Sequence, residues 1–116
     1  HRMKKAGAFG TVVYSGTRFA LVKDQAGLEA RDFFGYFPEA DILLLEGQKN
    51  SAYPKIEVLR QEISCSPVCS PETVLAYVAD CQVSQQGSRE PRQVFAFDQL
   101  DEVAELAIHH MDAVFF

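Results

Sequence analysis

The sequence has no long hydrophobic run, no excess of basic residues and no even set of cysteines. A helix that spans a membrane needs roughly 20 consecutive apolar residues, and no run of that length occurs, so we expect no membrane span. Acidic residues outnumber basic ones by 16 to 11, which gives a net charge of −5. Because proteins that grip a nucleic-acid backbone carry basic faces, this balance argues against a nucleic-acid-binding protein.

Cysteine occurs three times, as Cys65, Cys69 and Cys81. An odd number does not make a disulfide framework, and the simplest interpretation is a set of free thiols in a reduced, cytoplasmic setting. The C-x3-C spacing of the first two leaves open an alternative, a small metal or redox protein. A zinc site needs four ligands at known spacings, however, and His109 and His110 lie far along the chain, so free thiols are favoured.

With 47% hydrophobic and 11% aromatic residues, a chain of this length can form a single α/β domain over residues 1–116, which would bury roughly two thirds of its unfolded surface. Two short β-type runs, 11–14 and 19–22, flank a glycine-bearing turn and predict a hairpin. The apolar residues between 26 and 37 then recur at helical spacing, and Asp24 is a suitable cap for that helix.

Residues 41–49 read D-I-L-L-L-E-G-Q-K. Four aliphatic residues in a row, bounded by polar ones, are typical of a strand that is buried on both faces of a parallel sheet. Ligands bind at the carboxyl ends of such strands, so Glu46 and Lys49 are predicted to lie beside a binding crevice. An acid next to the flexible Gly47 can approach a hydrated metal ion, and the lysine can approach phosphate.

Two more strands are predicted downstream, at 55–60 and 74–80. In the first, Lys55 and Glu57 alternate with aliphatic residues, which favours a strand that carries its charged side chains on a wetter face. The second is a continuous apolar run that ends in Asp80. It is therefore a second candidate for a buried strand that delivers a carboxylate to the binding edge of the sheet.

The chain continues with a polar excursion at 82–93, a short strand at 94–97 and a helix that Asp98 caps. One apolar stripe predicts the helix face that packs on the sheet. The stripe consists of Leu100, Val103, Ala104, Ala107 and Met111. Phe115 and Phe116 form an apolar end that we expect to pack against a partner. Buried strands that alternate with helices describe a three-layer, mostly parallel α/β sheet flanked by helices.

The block at 41–49, together with P-K-I-E-V-L-R at 54–60, resembles the signature of the MobB family, the GTP-binding adapter proteins of molybdopterin-guanine dinucleotide synthesis. Weaker similarities lie in R-M-K-K-A-G-A at 2–8, in V-A-D at 78–80 and around Phe97. The resemblance implies a P-loop nucleotide-binding fold that binds GTP and Mg²⁺. It also implies a partnership with the molybdopterin guanylyltransferase, a MobA-type protein, with molybdopterin as a further candidate ligand. Such a protein is an accessory factor and at most a weak GTPase. A chain that lacks part of this fold should expose apolar surface, so we also expect a homodimer.

The same resemblance implies a set of nucleotide-binding residues: Glu46, Gly47, Lys49, Lys55, Arg60 and Asp80. Glu46 matches the acid at the end of the Walker-B-like strand and would face the metal ion of the nucleotide. Lys49 and Arg60 match basic positions and would contact phosphate, either of the nucleotide or of the pterin. Asp80 matches the acid near the base-binding end, where a carboxylate can accept both edge N–H donors of guanine. Each also has a purely structural explanation, such as a solvated lysine or a turn aspartate.

One part of the family pattern is absent from the sequence. A P-loop reads G-x-x-x-x-G-K-[ST], and its backbone amides and lysine hold the phosphates. None of the seven glycines begins that motif. We therefore expect the chain to correspond to the C-terminal part of such a protein, without its N-terminal strand–P-loop–helix unit, and to bind triphosphate weakly or not at all by itself. The alternative is a protein-interaction module that keeps the scaffold and has lost the nucleotide.

Overall fold

The computed structural model describes residues 2–87 and 89–110. The predicted contributions of Met111, Phe115 and Phe116 therefore lie outside the described residues. Within the described ranges, no helix combines the length and the apolar character that a membrane crossing requires.

The chain divides into two compact units, with the boundary in sequence between Leu43 and Leu44. The first unit contains, in order, a short helix α1 (Arg2–Lys5), strands β1 (Gly10–Tyr14) and β2 (Phe19–Lys23), and a 3-10 helix (Ala30–Tyr36). The second unit contains strand β3 (Lys55–Leu59), a 3-10 turn (Pro71–Thr73), strands β4 (Val74–Ala79) and β5 (Gln93–Phe95), and helix α2 (Leu100–His109).

Strands β1 and β2 form the predicted antiparallel hairpin, with Tyr14 opposite Phe19. The N–H of Ser15 donates to the carbonyl of Arg18 at 2.7 Å and closes the turn. Aromatic and β-branched residues make up four of the five residues of β1 and two of the five residues of β2, and they favour an extended conformation. Every residue of the two strands is exposed except Thr11, which is half-buried. The hairpin therefore has its predicted backbone, but its apolar side chains remain uncovered.

The helix predicted after Asp24 is shorter than expected and of a different type. It is the 3-10 helix Ala30–Tyr36, and it is preceded by Glu29, whose N–H donates to the carboxylate of Asp32 at 2.8 Å. The predicted cap Asp24 instead forms an ion pair with Lys4. Two glycines in this region have a low helix propensity, which is the physical reason that a longer α-helix does not form.

The buried strand predicted within residues 41–46 is wrong. Residues 42–45 belong to no strand, and the side chain of Leu44 is 84% exposed. A strand requires hydrogen bonds to a neighbouring strand, and no described residue pairs with this segment. The aliphatic pattern therefore indicates a preference for burial, which the described part of the chain does not satisfy.

The second unit is built on a three-stranded parallel sheet in the order β3-β4-β5. Val58 lies opposite Val78, which lies opposite Phe95. The central strand β4 is the most deeply buried element, since Ala76 and Tyr77 are 0% and 1% exposed. The α/β class, the parallel sheet and the three downstream strands are thus confirmed.

Helix α2 covers one face of this sheet. Val103 and Leu106 contact a buried cluster on the sheet that consists of Ala76, Val78 and Phe95. Of the predicted apolar stripe, Leu100 is 65% exposed and takes no part in this cluster. The helix begins after Gln99 rather than after the predicted cap Asp98. Val103 and Leu106 are three residues apart and therefore lie on the same side of the helix.

The opposite face of the sheet is covered by irregular segments. Its buried cluster consists of Leu59, Val74, Tyr77 and Ala79, and it is packed by Cys69, Cys81 and Val83. The residues that the structure describes therefore supply one helical layer, α2, on one side of the sheet. The three-layer arrangement and the missing N-terminal unit stay predictions.

The prediction that β3 carries its charged side chains on a wetter face is wrong for Glu57. Glu57 is 7% exposed, whereas Val58 is 57% exposed. Glu57 shares a face with Leu59, because residues two apart in a strand point the same way. That face lies under the segment that follows β3, and Val58 lies on the other face, outside the cluster that α2 covers.

Candidate functional site

The carboxyl ends of β3, β4 and β5 lie at one edge of the sheet because the three strands are parallel. Arg60 follows β3 directly, Asp80 follows β4 directly, and Phe97 comes two residues after β5. We call these three residues the carboxyl-edge cluster. Two of its members were predicted site residues, and the structure brings them to the same edge.

The carboxylate of Asp80 links the ends of β3 and β4. Its Oδ1 atom accepts a hydrogen bond from the N–H of Gln61 at 2.7 Å. Asp80 is nevertheless exposed, and a carboxylate has about four acceptor positions. One contact to the backbone thus fixes the orientation of a group that still has capacity for a ligand.

The guanidinium of Arg60 reaches from the end of β3 to the far side of β4. Its carbon atom lies 5.5 Å from the centre of the Phe97 ring, within the range of a cation–π contact. Phe97 was not among the predicted site residues. The signal that could have found it is an aromatic residue just beyond the last strand of a parallel sheet.

Lys55 lies at the opposite end of β3 from Arg60. Its ammonium donates to the carbonyl of Tyr53 at 2.8 Å and to the hydroxyl of Thr73 at 3.4 Å, and it also contacts the carbonyl of Ser51. A strand of this length separates its two ends by about 16 Å, at about 3.3 Å per residue. Lys55 therefore binds the backbone just before β3 and does not lie at the carboxyl edge of the sheet. Its role in ligand binding stays a prediction.

Glu46, Gly47 and Lys49 lie in the irregular segment before β3. Gly47 has a φ of +78°, which a residue with a side chain rarely adopts. Since residues 42–45 form no strand, Glu46 does not stand at the carboxyl end of one, contrary to the premise of its prediction. Mg²⁺ usually takes one or two carboxylates together with water and phosphate oxygens. The exposed Glu46 fits such an ion as a single ligand, and no group of three or more His, Cys, Asp or Glu within the described ranges is placed to hold a metal.

The expectation of three free thiols is wrong. Cys65 and Cys81 form a disulfide with a Cα–Cα distance of 6.1 Å, and Cys69 remains free. Cys65 lies in the segment after β3, and Cys81 comes two residues after the end of β4. Because these strands are parallel neighbours, their downstream segments meet, which a count of cysteines in the sequence does not reveal.

Glu57 binds the backbone of the segment that carries Cys69. Its carboxylate accepts hydrogen bonds from the N–H of Val68 at 2.7 Å and from the N–H of Cys69 at 3.4 Å. Burial raises the pKa of the Cys69 thiol, and the negative charge of Glu57 raises it further. Burial likewise raises the pKa of the Tyr77 phenol, with a smaller effect from Glu57.

A half-open pocket of about 360 Å³ lies on this face of the sheet. One wall is formed by the segment from Ser66 to Cys69 with Pro71, the other by Ser84, Gln85 and Gln86, and Tyr77 contributes from β4. The side chain of Gln85 accepts from the N–H of Arg92 at 2.5 Å and donates to its carbonyl at 2.9 Å. No charged side chain lines this pocket, so it is separate in position and in chemistry from the carboxyl-edge cluster.

A family model described as molybdopterin guanine dinucleotide synthesis protein B matches residues 1–80. The match includes the hairpin, the block at 41–60 and Asp80, and it ends before β5 and α2. No curated protein matches the chain. More than two thirds of the chain is covered by this family model, and the chain therefore belongs to the MobB family of molybdopterin guanine dinucleotide synthesis proteins.

Proposed function

We propose that this chain acts as a GTP-binding adapter in molybdopterin guanine dinucleotide synthesis and assists the guanylyltransferase that uses the nucleotide. Membership of the family places the chain in this synthesis. The observation that supports nucleotide binding is the meeting of Arg60, Asp80 and Phe97 at the carboxyl edge of a parallel sheet. Open α/β sheets bind their ligands at this edge.

The carboxyl-edge cluster has groups that suit a guanine base. The Asp80 carboxylate, oriented by the N–H of Gln61, can accept hydrogen bonds from the ring N–H and the amino group of guanine. The ring of Phe97 is 37% exposed and offers a surface on which a base can stack. Arg60 can then contact a phosphate, of the nucleotide or of the pterin.

The proposed site has fewer groups that could bind the phosphates. The sequence contains no P-loop, so these residues by themselves should bind the triphosphate weakly. Mg²⁺, when bound with GTP, supplies positive charge between the phosphates, and Glu46 with Lys49 and Gly47 would lie beside it in this proposal. The task of the chain is delivery: it holds and orients the nucleotide for a partner and performs no chemical step of its own.

The test is calorimetric titration of GTP and Mg²⁺ into the full-length protein, with ATP as the competing nucleotide. Asp80→Asn keeps the bond from Gln61 but loses one acceptor for the base, so we expect the affinity for GTP to fall by about 1–3 kcal/mol. Asp98→Asn is the matched control, because Asp98 is an exposed acid outside the cluster. A folded protein that binds no GTP, or an Asp80 variant that binds as the control does, would contradict the proposal.

The adapter is further proposed to be a homodimer. Both strands of the hairpin present apolar side chains to solvent, among them Val13 at 73% and Tyr14 at 81% exposed. A lone two-stranded hairpin is marginally stable in water, and an uncovered apolar surface of this kind is typical of an association site. A second copy of the same hairpin would supply an identical, self-complementary surface.

A nucleotide-free interaction module is the second candidate function, and the exposed hairpin favours it as well. The two candidates differ in one measurement. If the chain binds a MobA-type guanylyltransferase equally well with and without GTP and gives no heat with GTP alone, the interaction module is selected. If GTP strengthens the complex, the adapter is supported.

A further inference from the structure

The Cys65–Cys81 disulfide joins the two segments that form the walls of the pocket beside Tyr77. Cys65 directly precedes the wall that runs from Ser66 to Cys69, and Cys81 precedes the wall formed by Ser84 to Gln86. The crosslink therefore lies directly before the first wall and three residues before the second. It fixes the distance between them at one end of the pocket.

A second anchor holds the far end of the first wall. Glu57, 7% exposed, accepts hydrogen bonds from the backbone N–H groups of Val68 and Cys69. The side chain of Cys69 also packs against the buried cluster of Leu59, Val74, Tyr77 and Ala79. In the oxidised chain the segment between Cys65 and Cys69 is thus held at both of its ends, by a covalent bond and by a carboxylate.

We propose that the Cys65–Cys81 disulfide is a reducible clasp that keeps the pocket narrow around Cys69. Reduction by an external dithiol breaks the S–S bond: two electrons and two protons pass to Cys65 and Cys81, which become thiols, while the dithiol becomes a disulfide. The wall then loses its covalent anchor and keeps only the hydrogen bonds to Glu57. The pocket widens, and the Cys69 thiol becomes more accessible to small molecules.

Burial and, to a smaller extent, the negative charge of Glu57 raise the pKa of the Cys69 thiol while the clasp is closed. The positive charges of Lys55 and Lys49 oppose the effect of Glu57 on this pKa. Thiolate, and not thiol, is the reactive form of cysteine. A half-buried thiol beside a carboxylate therefore reacts more slowly than a free one, and its reactivity measures the opening of the wall. This inference does not depend on nucleotide binding.

The experiment compares the rate at which N-ethylmaleimide, a neutral reagent, labels Cys69 in the oxidised and in the dithiothreitol-reduced chain at one pH. Peptide mass mapping resolves the three cysteines, and each rate is divided by the rate in denaturant. We expect a labelling rate about tenfold higher after reduction, as for a segment released from a local constraint. The Cys65→Ser, Cys81→Ser double variant should show the high rate without any reductant.

The Cys69→Ala variant is the control, because its oxidised chain should take up no label. Rates that agree within about twofold before and after reduction would overturn the proposal. So would three labelled cysteines in the native, unreduced chain, since the disulfide would then be absent. If circular dichroism shows that both the reduced chain and the double variant have unfolded, the disulfide is a structural crosslink and the clasp is rejected.

Discussion

Glu57 is a charged residue with a core position. Its alternation with aliphatic residues in β3 predicted a solvent-exposed face. Its side chain instead accepts hydrogen bonds from two backbone N–H groups of the segment that follows the strand. Alternation shows which residues share a face and does not show which face is covered. The sequence therefore predicts the strand correctly, but it wrongly predicts that the face with Glu57 is exposed to solvent.

Substitution of Glu57 tests its effect on the neighbouring thiol. Glu57→Gln keeps an acceptor for the N–H of Val68 but removes the negative charge, so the raised pKa of Cys69 should move back toward its ordinary value. At a fixed pH below that pKa the thiolate fraction rises, and alkylation of Cys69 becomes faster. The pH dependence of the alkylation rate measures this shift.

Glu62→Gln is the matched control for that measurement, because Glu62 is an exposed acid in the same connection. It should leave the pH profile unchanged. A profile for the Glu57 variant that coincides with that of the control would show that the charge of Glu57 does not act on Cys69.

Lys55, like Glu57, makes structural contacts through its charged group, and these contacts allow a separate prediction. Its ammonium binds two backbone carbonyls and the hydroxyl of Thr73, so Lys55→Ala leaves these acceptors without their donor. We expect a loss of about 1–3 kcal/mol in the free energy of unfolding, measured by urea denaturation. Lys49→Ala, in the exposed segment before β3, should change it by less than about 0.5 kcal/mol. Equal losses in the two variants would contradict a structural role of Lys55.

At the scale of elements, a sequence pattern predicts a strand well when another segment of the chain can pair with it. The hairpin and the strands β3, β4 and β5 were all predicted, and each has a hydrogen-bonded partner. The aliphatic run at 42–45 has the strongest pattern of all and forms no strand. Pairing is a property of two segments, so the pattern of one segment cannot establish it.

Helix α2 allows a quantitative test of which face is packed. Leu106 contacts the sheet cluster, whereas Leu100 in the first turn is 65% exposed. Leu106→Ala should therefore lower the free energy of unfolding by about 2 kcal/mol, and Leu100→Ala by less than about 0.5 kcal/mol. Chemical denaturation of the two variants compares the same substitution in one helix. The reverse order would mean that the stripe expected from the sequence is the packed one.

At the scale of the whole molecule, composition and pattern predicted the α/β class and the parallel sheet. They did not predict the disulfide or the uncovered state of the hairpin. Both depend on which segments meet in space, and residues 65 and 81 are brought together only by the parallel pairing of β3 with β4. For the same reason, two of the three residues of the carboxyl-edge cluster were predicted. Arg60 and Asp80 follow strands, while the contribution of Phe97 depends on the order of the strands.

The proposed homodimer makes the hairpin a target for mutation. Val13→Lys places a charge in the middle of the exposed apolar surface and should shift the protein toward monomer, as measured by sedimentation velocity over a range of concentrations. Thr17→Lys is the control, because Thr17 is exposed and lies in the turn, outside both strands of the hairpin. A protein that is already monomeric before mutation, at high concentration, would rule out association through the hairpin.

The crosslink between Cys65 and Cys81 has a topological consequence. The 16-residue separation of the two cysteines encloses the whole of β4, so the central strand of the sheet lies inside a covalent ring. A protease that cuts once within this ring leaves both pieces attached through the sulfur atoms. The nicked chain would thus keep the mass of the intact one apart from one added water, and it would keep its central strand beside both neighbours. In the oxidised chain, cleavage of one peptide bond within this ring therefore releases no fragment.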